Sequence, residues 1–383
     1  MIMRTIAVVT GTRAEYGYLK PLMHALQRDN TLRLQPIITG MHLLPSFGNT
    51  YKLVQKDFPT AKKIPMTYRG DHLKDMALYL ASGITAFTSF FSTQRPDILV
   101  VLGDRSESLA AALSALYLNI PIAHINGGDV SGTTIDESIR HAITKISHIH
   151  FVHTKENAER VVKMGEEKKR IFITGALTLD TILHTTLPSK EEIFKKYHLD
   201  PKKTTFLVVQ HPITTVKDKG YSQFTELLQA LDMAQQQTVL LYPNCDAGSK
   251  KFITQIQRFA QKPYLHAFEN IPHDEYLSIM KSVDLMIGNS SSGIIEAPSF
   301  QIPVINIGSR QQGRRRSTNI LDVEPDKNKI LEAIEYCLHN KAFRQKIRNC
   351  TNQFGDGSAA QKMIKILKDI RLDETLIQKQ ITY

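Results

Sequence analysis

Residues 283–298 read VDLMIGNSSSGIIEAP. The first six form a short apolar run closed by glycine, the pattern of a strand buried on both faces. A second apolar stretch follows from Gly293, so the sequence predicts a strand, a polar turn and the start of a helix. The first-turn N–H groups of such a helix lack partners and, with serine hydroxyls, make a ready anion site. A single serine cap would satisfy an ordinary helix start. Ser290, Ser291 and Ser292 beside Gly293 exceed that need. Glu296 stands six residues after Ser290, where a carboxylate could accept hydrogen bonds from both hydroxyls of a ribose. Phosphate at the helix start and ribose on its flank describe a nucleoside diphosphate.

The same rhythm runs outward in both directions. Five apolar, β-rich runs occur in the first half, at 5–11, 34–40, 97–103, 120–127 and 148–154. Five more follow at 205–211, 238–244, 264–268, 284–290 and 302–308. Amphipathic stretches separate them, which signals parallel sheets covered on both faces. A chain of 383 residues exceeds the usual size of one core, so two Rossmann-like, doubly wound α/β domains are expected. Apolar density falls over 178–192, which puts the boundary there: 1–178 and 179–364, with 365–383 expected to pack back on the first domain.

Composition bounds the function. Hydrophobic residues at 42% and charged residues at 22% are those of an ordinary globular protein. Cys245, Cys337 and Cys350 are few and far apart, which argues for a reducing compartment and against a disulfide framework. The N-terminal MIMRTIAVVTG reads as a strand and not a signal peptide, and no stretch of 18 apolar residues is apparent; a cytoplasmic protein without a membrane span is expected. The net charge of +11 comes from scattered basic residues, with only GRRRS (313–317) as a tight cluster. Aromatic interleaving is missing, so an anionic small molecule fits better than nucleic acid.

Ligands of open parallel sheets bind beyond the carboxyl ends of the strands. Those ends read GTRAEYG (11–17), GDRSE (103–107), HINGGD (124–129), HP (211–212), PNCDAGS (243–249), GNSSSG (288–293) and GSRQQGR (308–314). Together with IDESIRHAITK (135–145), this set resembles the hydrolysing UDP-N-acetylglucosamine 2-epimerases of sialic-acid and legionaminic-acid synthesis. The motifs extend from residue 11 to 314, so the similarity covers essentially the whole chain.

The resemblance implies a GT-B-like fold with the active site in the cleft between the domains. It also implies elimination of UDP to a 2-acetamidoglucal, then addition of water with inversion at C2. No redox cofactor and no metal is expected. The reaction-centre acids carried over are Asp104, Asp129, Asp136 and Glu137, with base and acid left undivided. Asp136 and Glu137 open a helix whose apolar face is read as Ile135, Ile139, Ala142 and Ile146, with i,i+4 partners in Arg140 and His141. Arg13, Gly17 and Arg105 from the first domain, and His211, Asn244, His273, Ser290, Ser291, Glu296 and Arg310 from the second, are expected around UDP. Arginine suits the diphosphate because its planar fork donates in pairs. A homo-oligomer is expected as well.

Two positions depart from the family pattern. Asp129 stands where many members carry Glu, and Asn126 where members carry His or Glu. Both bear on the sugar. UDP-GlcNAc is the leading substrate and UDP-2,4-diacetamido-2,4,6-trideoxyglucose the rival. A GT-B glycosyltransferase would share GNSSSGIIEAP without needing the acids at 129–137, and a silent nucleotide-sugar sensor would lack them. His148, His150 and His153 in HIHFVHT have no carboxylate or cysteine at ligand spacing, so they are read as structural.

Overall fold

The computed structural model describes residues 3–70, 72–131, 135–213, 219–243 and 249–382. Contacts divide the chain into two compact units, 1–129 with 136–184 and 354–383, and 130–135 with 185–353. The change of unit falls at the end of the helix Leu177–His184, and the chain returns to the first unit at Phe354.

The first unit holds a seven-stranded parallel sheet. Its strands are β1 (Arg4–Thr10), β2 (Leu32–Thr39), β3 (Lys62–Ile64), β4 (Ile98–Leu102), β5 (Ile122–Ile125), β6 (Ile149–Val152) and β7 (Ile171–Ile173), in the order β3-β2-β1-β4-β5-β6-β7. Alternation along the strands sends Ile6, Val8, Ile98 and Val100 into one apolar layer and Ala7, Val9, Leu99 and Val101 into the other. The helices Arg13–Arg28 and Ala359–Asp369 close the first layer through Leu19, Leu22, Met23, Met363 and Leu367.

The helices Leu73–Thr93 and Ser106–Tyr117 close the opposite layer, burying Phe87, Phe91, Ala111 and Ala115. By length and composition, Leu73–Thr93 could cross a membrane. It holds no unbroken apolar run of 18, because Lys74, Asp75, several serines and threonines and Gly83 interrupt it.

The second unit has β8 (Thr205–Val209), β9 (Gln237–Leu241), β10 (Leu265–Phe268), β11 (Leu285–Gly288), β12 (Val304–Ile307) and β13 (Ile320–Val323), ordered β10-β9-β8-β11-β12-β13 and all parallel. Strand order reverses between β1 and β4 in one sheet and between β8 and β11 in the other. Each reversal opens a crevice at the carboxyl ends of two neighbouring strands, which is where such sheets bind ligands. Both sheets are doubly wound α/β units, as the glycine-ended apolar runs implied.

Candidate active site

In the first unit, the carboxyl ends of β4 and β5 meet the N-terminal turns of the helix Ile135–Ile146. Arg140 from that helix has no exposed surface. Its guanidinium hydrogen-bonds Asp104 Oδ2, donates to Glu137 Oε2 at 2.8 Å and to the Asp129 carbonyl at 3.2 Å. His141 Nε2 lies 3.1 Å from the other Glu137 oxygen. Burial alone would lower the arginine's pKa, but the charges of Asp104, Asp129 and Glu137 outweigh it and drive it higher still. One permanent cation thus gathers three of the four acids read from the sequence. Asp136, the fourth, is half-buried in the same first turn.

Below this cluster, His124 is fully buried, and burial pushes its pKa down to about 3. The neutral ring donates Nε2–H to the Gly103 carbonyl at 2.8 Å and sets Nδ1 3.2 Å from the Thr144 hydroxyl. It therefore ties the loop carrying Asp104 to the helix carrying Arg140. Asn126 follows β5 in the left-handed region, φ 73°, which asparagine tolerates. Its Oδ1 is buried without a hydrogen bond among the described residues.

At the end of β1, Thr12 and Glu15 form a capping box for the helix Arg13–Arg28, whose first residue is Arg13 and within which Gly17 is buried. Glu15 accepts from Gly11 N at 2.8 Å and Thr12 N at 3.0 Å. Burial and the neighbouring Glu107 push its carboxyl up to about 8, against the opposing pull of Arg105.

In the second unit, β8 and β11 approach so closely that a Cβ on Gly288, φ 138°, would strike the Val209 carbonyl. Beyond this contact, Asn289 clamps His211 by two bonds, accepting from its N–H at 2.8 Å and donating to its carbonyl at 2.9 Å. The Asn289 carbonyl accepts from Arg310 at 3.0 Å and Gln311 at 2.8 Å. One buried asparagine thereby fixes three strand-end loops. Ser290 Oγ lies 2.9 Å from Ser292 Oγ, which lies 2.6 Å from the Tyr276 hydroxyl. His273, the first residue of its helix, donates to the fully buried Glu296 at 3.1 Å.

Two sequence expectations change. The helix expected after the serines is a single turn, Ser292–Ile295, followed by a 3-10 turn at Ala297–Phe300 whose second residue is Pro298, so Glu296 sits at a junction and not on a helix flank. The buried face of Ile135–Ile146 is Arg140, Ile143 and Thr144, while Ile135 and Ala142 are exposed and Ile139 and Ile146 are half-buried. Within 313–317, Arg314 bonds Gln311, and Arg316 bonds the Gln311 carbonyl and Asp322, so much of that basic cluster knots its own loop. Asn244 lies outside the described residues. The described residues hold no group of three or more His, Cys, Asp or Glu placed for a metal. His150 instead pairs with Glu166 at 3.1 Å.

Sequence reading passed over Glu107, Tyr276 and Gln311. Glu107 stood in view as the last residue of GDRSE, and its near-complete burial was the missing signal.

The family model of UDP-N-acetylglucosamine 2-epimerase matches residues 24–368. The UDP-N,N'-diacetylbacillosamine 2-epimerase (hydrolyzing) of Legionella pneumophila is 36% identical over 383 residues, covering 100% of both chains. The GDP/UDP-N,N'-diacetylbacillosamine 2-epimerase (hydrolyzing) of Campylobacter jejuni is 38% identical over 380 residues, covering 98% of each. The crystal structure of the Neisseria meningitidis UDP-GlcNAc 2-epimerase bound to UDP-GlcNAc superposes with a TM-score of 0.81 at 18% identity, over 96% of this chain and 100% of that one. Matched along nearly its whole length and carrying the motifs in sequence order, the chain belongs to the UDP-N-acetylglucosamine 2-epimerase family and is a UDP-sugar 2-epimerase.

Proposed function

We propose that the enzyme is of the hydrolysing type and acts on UDP-2,4-diacetamido-2,4,6-trideoxyglucose. A carboxylate takes the C2 proton, the C1–O bond to UDP breaks, and the C2–H electron pair becomes the C1=C2 bond of a glycal. Water then adds its oxygen to C1 and a proton to the opposite face of C2, releasing the free 2-epimer. The carrying observation is Arg140, wholly buried among Asp104, Asp129 and Glu137. A cation so placed balances the carboxylates gathered around it, from which a C2 base can be drawn, and Asp136 is the nearest further acid in sequence.

UDP falls to the second unit in this reading. Glu296 accepts from the ribose, His273 lies by the uracil, and His211, Ser290, Ser291 and Arg310 take the diphosphate with Arg13 and Arg105. The preference for the diacetamido sugar rests on the two full-length relatives named for it, at 36% and 38% identity, and on Asn126 and Asp129. UDP-GlcNAc remains the second reading, because the family model carries that name.

Incubation with each UDP-sugar and no acceptor tests both levels. Free UDP with a free 2-epimer is expected, whereas an epimer still joined to UDP would mean a non-hydrolysing enzyme. A kcat/KM preference of about a hundredfold, ~2.7 kcal/mol at ~1.36 kcal/mol per decade, assigns the sugar. A site shaped for the C6 methyl would leave the C6 hydroxyl of UDP-GlcNAc unpaired, which costs a few kcal/mol.

A further inference from the structure

Glu107 lies in the first turn of the helix Ser106–Tyr117, just past β4. Acids are common there because they complement the helix dipole, and a solvated one needs no further explanation. Glu107 is only 1% exposed. A carboxylate so deeply buried is costly unless it is paired and hydrogen-bonded. Its Oε1 accepts from the Tyr79 hydroxyl at 2.7 Å, and its Oε2 lies 3.7 Å from Arg105 Nε. Among the described residues, no donor hydrogen-bonds Oε2. That oxygen therefore meets the guanidinium through charge rather than through a hydrogen bond.

The surrounding backbone is shaped to this side chain. A Cβ on Gly11, after β1, would come 2.8 Å from Glu107 Cγ. A Cβ on Gly40, after β2, would come 2.5 Å from Glu107 Oε1. The strand ends of β2, β1 and β4, neighbours in the sheet, thus converge on one carboxylate. Glu15 stands beside it and accepts from Gly11 N. Burial and the adjacent Glu107 raise the Glu15 carboxyl to about 8.

We propose that Glu107 is a positioning residue for Arg105 as a diphosphate ligand, holding the Nε side of the guanidinium by charge at 3.7 Å while Nη2 lies 3.8 Å from Met41 Sδ, with Tyr79 fixing Glu107. The proposal rests on the reading of Arg105 as a diphosphate ligand. It predicts that removing the Glu107 charge loosens Arg105 and is felt as weaker UDP binding. A mere packing role under Gly11 and Gly40 predicts lost stability with no link to Arg105.

A double-mutant cycle on the full chain separates these, with UDP affinity read by calorimetry. Glu107→Gln keeps shape and removes charge, and is expected to weaken UDP about tenfold. The loss should fall on KM and UDP affinity rather than on kcat. Arg105→Ala is expected to weaken UDP at least as much, and Glu107→Gln should then add nothing in that background. Additive losses, or unchanged affinity in folded Glu107→Gln, would overturn the proposal. Should Glu107→Gln fail to fold, Tyr79→Phe in the same cycle decides, with about a threefold loss expected that vanishes alongside Arg105→Ala. Unchanged affinity in Arg105→Ala itself would instead refute the diphosphate role of Arg105, and the proposal with it.

Discussion

Arg140 is charged and yet without exposed surface, and its worth lies in the carboxylates it holds. Replacing it with methionine leaves Asp104 and Glu137 without their cation. Breaking a buried pair from one side costs roughly 3–5 kcal/mol. Arg140→Met should therefore lower the unfolding midpoint and cut kcat/KM by about a hundredfold or more, which denaturation and steady-state kinetics together would show. Glu296 makes the matching case for the nucleotide. Glu296→Ala should weaken UDP by about 1.5–3 kcal/mol as its charged acceptor is lost, and unchanged affinity by calorimetry would remove it from the ribose. Sequence order marked Arg140 only as an i,i+4 neighbour of Asp136. Its burial was hidden because Ile135, Ile139, Ala142 and Ile146 have helical spacing and suggested a different inward face.

Edge strands and short turns were hardest to read before the structure. Each of the ten apolar runs contains a strand, while β3, β7 and β13 were not foreseen. All three lie at sheet edges and are three or four residues long, too short to stand out as runs, and most of their side chains are half-buried or exposed. The C-terminal segment is anchored by chemistry equally invisible in sequence order. Glu166, 2% exposed, accepts from Lys145 at 2.8 Å and Lys379 at 2.7 Å, and His150 lies 3.1 Å away. Arg170 bonds the Leu376 and Thr375 carbonyls nearby.

Burial alone would raise the Glu166 carboxyl, but His150, Lys145 and Lys379 hold it at about 2. A depressed carboxyl contributes stability that is present above its unfolded value, about 4.5, and is lost as pH falls through about 2. Glu15, raised to about 8, acts oppositely: its contribution is complete below about 4.5 and is lost as pH rises through about 8. Glu166→Ala should lower stability at neutral pH by roughly 3–5 kcal/mol and flatten the acid limb of the stability profile. A variant with an unchanged acid limb would contradict the linkage.

At the scale of the whole molecule, each of the two units carries its own collection of polar side chains at strand ends. The first unit gathers acids around a buried arginine, and the second gathers a clamped histidine, serines and a buried glutamate. Both collections lie at strand carboxyl ends, next to a reversal of strand order, and the fold that puts them there was legible from glycine-ended apolar runs. The surroundings of single side chains such as Asn126, in the left-handed region with a buried Oδ1, were not, because sequence order does not reveal them. The central claim is that the C2 proton is exchanged with solvent while UDP departs. The most direct measurement is NMR of the diacetamido UDP-sugar turned over in D2O by the intact protein. Free UDP and a free 2-epimer carrying deuterium at C2 are predicted. A sugar still joined to UDP, or a product with its original hydrogen at C2, would contradict the account.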